Sequence, residues 1–291
     1  MGWTTVLAFK PDDEVVLVAS SDNTARLWNA RIGAAFGERL QHGDRIVVAE
    51  FSQDGTKIVT GSADKTARIW DALTGRPLGS PLEHRELVRA VAFDVEGRRV
   101  LTGSLDRSAC LWDIETGKAL GPQLQHQHMI FAVGISSNGA TLLTSSGDTT
   151  ARLWEADTGK PVGAPLQHQG AVHVVAFSSD ASEVITGSAD NTARLWDAKT
   201  GRPLSPPYVQ QGISDVAFSP DGSRFVIGGH KGGGIWEVPR PMKGDPMLIR
   251  IWVEVLTGHE LDEHGTLHVL DARAWSERQL RLEELGGGPE K

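Results

Sequence analysis

Short apolar segments alternate with turn-forming polar clusters along most of this chain. In residues 43–84, four apolar segments of strand length are separated by clusters rich in Gly, Asp, Ser and Thr. These segments are Ile46–Phe51, Lys57–Gly61, Ala67–Asp71 and Arg76–Leu82. Because residues 1–238 contain no amphipathic pattern of helix length, the alternation predicts an all-β region.

The four-segment unit recurs at a fixed period. Five tryptophans lie 42 residues apart, at Trp28, Trp70, Trp112, Trp154 and Trp196, and Trp236 follows at 40. Four strands in each unit of roughly 40 residues are typical of a β-propeller blade. The period predicts a propeller of six four-stranded blades, at about residues 3–42, 43–84, 85–126, 127–168, 169–210 and 211–238.

The repeated core GSADxTARLWD resembles the WD40 repeat over about residues 3–238. An aspartate lies six residues before most of these tryptophans, and a histidine lies nine residues before the end of most first strands. The resemblance implies that a histidine, a serine or threonine, an aspartate and the tryptophan form a hydrogen-bonded set that stiffens each blade. The implied sets are His42, Ser62, Asp64 and Trp70; His84, Ser104, Asp106 and Trp112; His126, Ser146, Asp148 and Trp154; and His168, Ser188, Asp190 and Trp196.

The first and last copies depart from this pattern, as terminal repeats often do. The first copy keeps Ser20, Asp22 and Trp28 without an upstream histidine, and the sixth has Gly228 and His230 in the serine and aspartate places. WD40 rings usually close with an additional N-terminal outer strand. The resemblance therefore leaves two arrangements open: a ring of six blades, or part of a seven-bladed ring in a longer chain.

Residues 239–291 break the period and predict a helix–hairpin–helix tail. Asp245-Pro246 is typical of a helix start, which favours a helix over Pro246–Leu256, although its β-branched residues also suit the sixth blade's outer strand. A hairpin is predicted at His259–Glu263 and Thr266–Leu270, then a helix at Ala272–Leu285, with disorder after about residue 286. The tail resembles segments of bacterial WD40 proteins, some of which carry a serine/threonine kinase domain.

Composition narrows the choice of partners. The net charge of −8 and the pI near 5.7 argue against nucleic acid and anionic membranes as partners. The single cysteine, Cys110, excludes an intramolecular disulfide, and no signal peptide or run of 18 apolar residues is visible. These features predict a cytoplasmic protein.

Several fragments imitate catalytic or ligand-binding motifs without their context. Ser62 and Lys65 have the S-x-x-K spacing, but they lie in a recurring strand-to-strand turn. His259 and His264 miss the HExxH spacing by one residue, and the glycines of residues 228–234 lack the P-loop GK[ST]. We therefore expect no catalytic residue, no cofactor and no metal site, with Cys110 as a packed strand residue.

Function is expected where the copies disagree. One variable position near the start of each first strand holds Thr5, Val47, Arg89, Phe131, His173 and Ser214, and Asp215 is the notable residue in the next column. In WD40 proteins this position lies on the channel rim that binds peptides. The resemblance thus implies a protein or peptide partner at Val47, Arg89, Phe131, His173 and Asp215. Two alternatives remain: an architectural or regulatory part of a larger kinase-type protein, and an enzyme with a site in the channel.

Overall fold

The computed structural model of the chain describes residues 4–11, 14–230, 232–239, 246–261 and 267–285. The chain forms two compact units, Met1–Val238 and Pro239–Lys291. The first unit is a series of antiparallel sheets, each built from strands that are consecutive in the chain. Together with the repeat pattern, these sheets confirm the predicted β-propeller class.

The first five sheets contain four strands each. The first three sheets are β1 (Thr4–Phe9), β2 (Val15–Ser20), β3 (Thr24–Asn29), β4 (Ala34–Gln41); β5 (Ile46–Phe51), β6 (Lys57–Ser62), β7 (Thr66–Asp71), β8 (Leu82–Glu83); and β9 (Val88–Phe93), β10 (Arg99–Ser104), β11 (Ser108–Asp113), β12 (Leu124–Gln125). The next two are β13 (Ile130–Ile135), β14 (Thr141–Ser146), β15 (Thr150–Glu155), β16 (Pro161–Gln167); and β17 (Val172–Phe177), β18 (Glu183–Ser188), β19 (Thr192–Asp197), β20 (Tyr208–Val209).

The sixth sheet differs from the predicted four-stranded blade. It contains β21 (Ile213–Phe218), β22 (Arg224–Gly229) and β23 (Gly232–Glu237), and no fourth strand lies among the described residues. The segment that could have supplied the outer strand is helical instead. The prediction of Gly228 in the serine place is also wrong, because Gly228 pairs with Asp215, and Gly229 takes that place opposite Ile213.

Consecutive sheets pack face to face. The innermost strands contact one another in chain order, β1 with β5, β5 with β9, β9 with β13, β13 with β17 and β17 with β21. Apolar side chains from two neighbouring sheets fill each interface. Between the fifth and sixth sheets, for example, fully buried Ile185 and Leu195 pack with Ile213, Phe225 and Ile227. This burial is the main driving force for stacking repeats that could not bury their faces alone.

The turn between the second and third strands of the first five sheets has a fixed shape. Its fourth residue adopts a left-handed conformation, with φ between 63° and 73° at Asn23, Lys65, Arg107, Thr149 and Asn191. The preceding aspartate supports the turn: Thr66 donates to Asp64 Oδ1 from both its backbone N–H and its hydroxyl, at 3.0 and 2.7 Å. The recurring sequence of this turn therefore reflects backbone geometry.

The second unit contains α1 (Pro246–Thr257), β24 (His259–Leu261), β25 (Leu267–Val269) and α2 (Ala272–Glu284). Asp271 caps α2 by accepting a hydrogen bond from the Ala274 N–H at 2.7 Å. Trp275 Nε1 donates to the carbonyl of Val255 in α1. Residues 262–266, where the predicted hairpin turn falls, and 286–291, where disorder is predicted, lie outside the described residues. Neither of the two described helices is long and apolar enough to cross a bilayer.

Candidate functional site

A β-bulge interrupts the innermost strand of every sheet near its start. In the third sheet, Val88 pairs with Ser104 and Ala90 pairs with Gly103, so Arg89 between them has no partner in the ladder. The corresponding unpaired residues are Thr5, Val47, Arg89, Phe131, His173 and Ser214. This is the variable position of the sequence. Because a bulge redirects the side chain of its extra residue, a ladder interruption common to all six sheets marks these positions.

All the bulges lie at one end of their sheets, the end at which the innermost strand begins. We call it the proximal end and the opposite one the distal end. Because neighbouring strands are antiparallel, the turn between the second and third strands and the loop that enters the sheet also lie at the proximal end. Each bulged residue therefore has two loops of its own sheet beside it.

Three of the predicted residues come together on consecutive sheets. The rings of Phe131 and His173 have centroids 4.6 Å apart and are tilted by 57°. Burial lowers the pKa of His173, and the nearby charge of Arg89 lowers it further. Arg89 is exposed, whereas Phe131 and His173 are half-buried. We call Arg89, Phe131 and His173 the bulge cluster.

The other two predicted residues are not joined to this cluster. Among the described residues, no hydrogen bond, ion pair or ring contact links Val47 or Asp215 to Phe131 and His173. Asp215 is also in a different register: it is a ladder residue opposite Gly228, and the bulged residue of its sheet is Ser214. Its carboxylate accepts a hydrogen bond from the N–H of the next residue, Val216, at 2.8 Å.

His128 lies in the loop that enters the fourth sheet, and its ring approaches a glycine of the neighbouring turn. A Cβ atom at Gly147 would lie 2.4 Å from His128 Nδ1, which is closer than Cβ atoms approach other atoms. The first, second, third and fifth sheets carry Ser21, Ala63, Leu105 and Ala189 at this turn position. The glycine at position 147, where these sheets have a side chain, is the sequence signal that the His128 ring lies close to this turn.

The hydrogen-bonded sets differ from the predicted ones in one member. In the second sheet, His42 lies between Asp64 and Thr60: Nδ1 is 2.9 Å from Asp64 Oδ2 and Nε2 is 2.7 Å from Thr60 Oγ1. Trp70 Nε1 donates to the same hydroxyl at 2.8 Å. The predicted Ser62 is not part of this hydrogen-bonded set. Its hydroxyl donates to the carbonyls of Asp44 and Arg45 and accepts a hydrogen bond from the Asp64 N–H.

The same correction applies to three further sheets. Ser104, Ser146 and Ser188 all accept the N–H of the aspartate two residues later. A threonine on the second strand links the histidine to the tryptophan instead. The complete hydrogen-bonded sets are His84, Thr102, Asp106 and Trp112; His126, Thr144, Asp148 and Trp154; and His168, Thr186, Asp190 and Trp196.

The charge state of these chains follows from burial. Burial lowers the pKa of His42, against the opposing effect of Asp64, so the imidazole is neutral at pH 7. Burial alone would raise the pKa of Asp64, but hydrogen bonds from Thr66, the Gly43 N–H and His42 hold it at about 2. The geometry then assigns the proton to Nδ1, which donates to the carboxylate, while Nε2 accepts from Thr60. These hydrogen bonds stiffen the sheet, and they leave neither nitrogen of the histidine free to act as a base.

Glu50 is a half-buried acid that the sequence pattern does not single out. It lies on β5, where the other sheets have Ala8, Ala92, Gly134, Ala176 and Ala217. Its Oε1 accepts the backbone N–H of Phe93 from the neighbouring sheet at 3.3 Å. Burial raises the pKa of Glu50 to about 7, only partly offset by this hydrogen bond. The titratable carboxyl group of Glu50 therefore links the second sheet to the third.

The fragments that imitate catalytic motifs do not assemble a site among the described residues. Lys65 Nζ lies 3.4 Å from Glu86, while the Ser62 hydroxyl is engaged with backbone carbonyls. Cys110 is buried, and burial raises the pKa of its thiol to about 11. No group of three or more His, Cys, Asp or Glu side chains within the described ranges could hold a metal ion. His264 and Lys231, which belong to two of the imitating fragments, fall outside those ranges.

Comparison with known families gives one match. A family profile described as "WD domain, G-beta repeat" matches residues 2–29, 39–71, 75–113, 120–155 and 159–197, which is more than half of the chain. Each matched range ends with the third strand of one of the first five sheets. No curated protein sequence matches the chain.

Proposed function

The chain belongs to the WD40 repeat family, and we propose that it is a non-catalytic scaffold that binds a protein or peptide at the proximal end of its sheets. WD40 repeats generally serve as protein-interaction scaffolds. The observation that carries the proposal is the bulge repeated in all six innermost strands, which takes a variable residue of each repeat out of the ladder.

The residue types in the bulge cluster support binding. Arginine and aromatic side chains are enriched among the residues that dominate binding energy at protein interfaces. Arg89 is exposed, and the Phe131–His173 pair offers a half-buried aromatic surface beside it. In the second to fifth sheets the turns and loops of the proximal end are braced by the Asp–His–Thr–Trp sets, so little conformational entropy would be lost on binding there.

An enzymatic role has less support. The buried histidines are neutral, each committed to an aspartate and a threonine, which leaves them unable to act as general bases. Glu50 has the raised pKa that catalytic acids often show, but its carboxylate accepts a backbone N–H, and the equivalent positions of the other sheets are alanine or glycine.

Site-specific photo-crosslinking tests the proposed surface. A benzophenone amino acid is placed at Phe131, at the proximal end, or at Val95, an exposed residue in the distal turn between β9 and β10. We expect proteins in a lysate of the source organism to crosslink to position 131 and not to position 95. The same crosslinked proteins at both positions, or none at position 131, would contradict the proposal.

A further inference from the structure

We propose that the bulge cluster binds an acidic peptide segment that carries one large apolar side chain, with a carboxylate at Arg89 and the apolar side chain on Phe131 and His173. This inference rests on the proposed function and specifies its partner.

The arginines around the third sheet supply the charge. Arg85 in its entering loop, Arg89 in its bulge and Arg107 in its turn are all exposed at the proximal end. Within the described part of the chain, none of the three guanidinium groups has a hydrogen-bond or ion-pair partner. Unpaired guanidinium groups present fork-shaped donors that match carboxylate geometry.

The acidic groups nearby are already engaged. Asp106 accepts from the Arg85 N–H and from Ser108, and it lies 3.2 Å from His84 Nδ1. Glu86, the exposed acid of the same loop, pairs with Lys65 at 3.4 Å. Three arginines and Lys65 thus stand against two acids, so this part of the proximal end carries a local excess of positive charge on a chain with net charge −8. Such a local field favours an acidic partner and increases its association rate.

The neighbouring sheets supply the apolar half of the surface. The innermost strands β9, β13 and β17 pack in sequence, so Arg89, Phe131 and His173 follow one another across three sheets. Because its pKa is lowered, the His173 imidazole is neutral at pH 7 and extends the aromatic surface of Phe131. An apolar side chain on this pair would gain burial without displacing a charge.

The charge pattern also disfavours other placements of an acidic segment. The sixth sheet has Asp215 exposed next to its bulge, whereas the loop entering the second sheet has Asp44 exposed beside Arg45. An acidic peptide would be repelled at the sixth sheet and would meet charges of both signs at the second. The preferred position is therefore the bulge cluster itself.

Fluorescence anisotropy with four labelled nine-residue peptides tests the inference on the whole chain. The first has a central Trp flanked by Glu, the second has Gln in place of Glu, the third has Lys in place of Glu, and the fourth has Gly in place of Trp. We expect the Glu/Trp peptide to bind most tightly, with affinity that falls as salt is added. Loss of a charge-assisted bond predicts that Arg89→Gln weakens this binding by roughly tenfold or more.

The matched control is Arg98→Gln, which removes the same charge from the distal end of the same hairpin, where Arg98 pairs with Glu96. We expect it to leave binding unchanged. Unchanged thermal unfolding would show that each variant is folded. The acidic preference would be wrong if the Gln or Lys peptide bound as well as the Glu/Trp peptide and Arg89→Gln did not weaken peptide binding. If Phe131→Ala still weakened binding in that case, the proposed surface would stand. Weak binding of all four peptides, insensitive to Arg89→Gln, would overturn the inference; the proposed function would still be judged by crosslinking.

Discussion

Trp70 donates its indole N–H to the hydroxyl of Thr60 at 2.8 Å, and this bond ties the third strand of the second sheet to its second strand. Thr60 is fully buried, and its hydroxyl also meets His42 Nε2 at 2.7 Å. The threonine therefore satisfies two buried polar groups that have no access to water.

Removal of the Thr60 hydroxyl tests whether Thr60 links His42 to Trp70. Thr60→Val keeps the shape of the side chain but leaves the Trp70 N–H and the His42 Nε2 without partners. At about 1–3 kcal/mol for each unsatisfied group, we expect a loss of about 2–4 kcal/mol in the free energy of unfolding, measured by urea denaturation. Thr60→Ser, which keeps the hydroxyl, should recover most of it. Equal stability of the valine variant and wild type would show that the Thr60 hydroxyl does not form these two hydrogen bonds.

The exposed face of the sixth sheet predicts a contrast between two equivalent residues. Leu195 pairs with Ile185 in the fifth sheet as Ile235 pairs with Val226 in the sixth. Leu195 and Ile185 are 0% exposed, whereas Ile235 is 71% and Val226 43% exposed. Leu195→Ala should cost about 2–5 kcal/mol because it leaves a cavity, and Ile235→Ala about 1 kcal/mol or less. Similar losses for both, measured in the same urea series, would show that this face is covered in solution.

The sequence predicts the sheets well because their information is local. A 42-residue period, alternating apolar positions and the aspartate-containing turn all act within one repeat, and the first five sheets follow them. Whether Val226 and Ile235 are buried does not depend on their own repeat alone. Their residue types suit a buried face, but burial requires a neighbouring sheet, and none packs on them among the described residues.

The candidate site was predicted in part. Disagreement between the copies identifies Arg89, Phe131 and His173, which the bulge then explains. The sequence places Ser214 in the variable column and Asp215 in the next one, and the bulge at Ser214 agrees with that alignment. The prediction takes Ser62 over Thr60 because both hydroxyl residues recur in every complete repeat and lie two residues apart on the same face of the strand. Only the pairing of the second and third strands shows that Thr60 is the one within reach of the tryptophan.

Glu50 predicts an unusual dependence of stability on pH. Its pKa is about 7 in the folded chain and ordinarily 4.5, so the folded state binds the proton more tightly than the unfolded state does. Its contribution is therefore fully present below about pH 4.5 and is lost as the pH rises through about 7. Glu50→Gln should raise the free energy of unfolding at pH 8.5, by up to about 3 kcal/mol, and change it little at pH 4.5. An equal effect at both pH values would contradict this account.

The buried histidines predict the opposite dependence in the acidic range. Burial lowers the pKa values of His42, His84, His126 and His168 below the ordinary 6.5, so the unfolded chain takes up protons more readily. Their contribution is fully present above pH 6.5 and declines as the pH falls below it. In the Glu50→Gln background, urea denaturation should show lower stability at pH 5.5 than at pH 7.5. Constant or higher stability at pH 5.5 would mean that these imidazoles are not buried as described.

The most direct test of the proposed scaffold is a quantitative pull-down with two charge-matched double variants. Arg89→Glu with Phe131→Ala changes the bulge cluster, and Arg98→Glu with Val95→Ala makes the same kinds of change in the distal turn of the same hairpin. Partner proteins retained by the wild-type chain should be lost by the first variant and kept by the second. Retention of every partner by the Arg89→Glu/Phe131→Ala variant would contradict the proposal that this surface binds them.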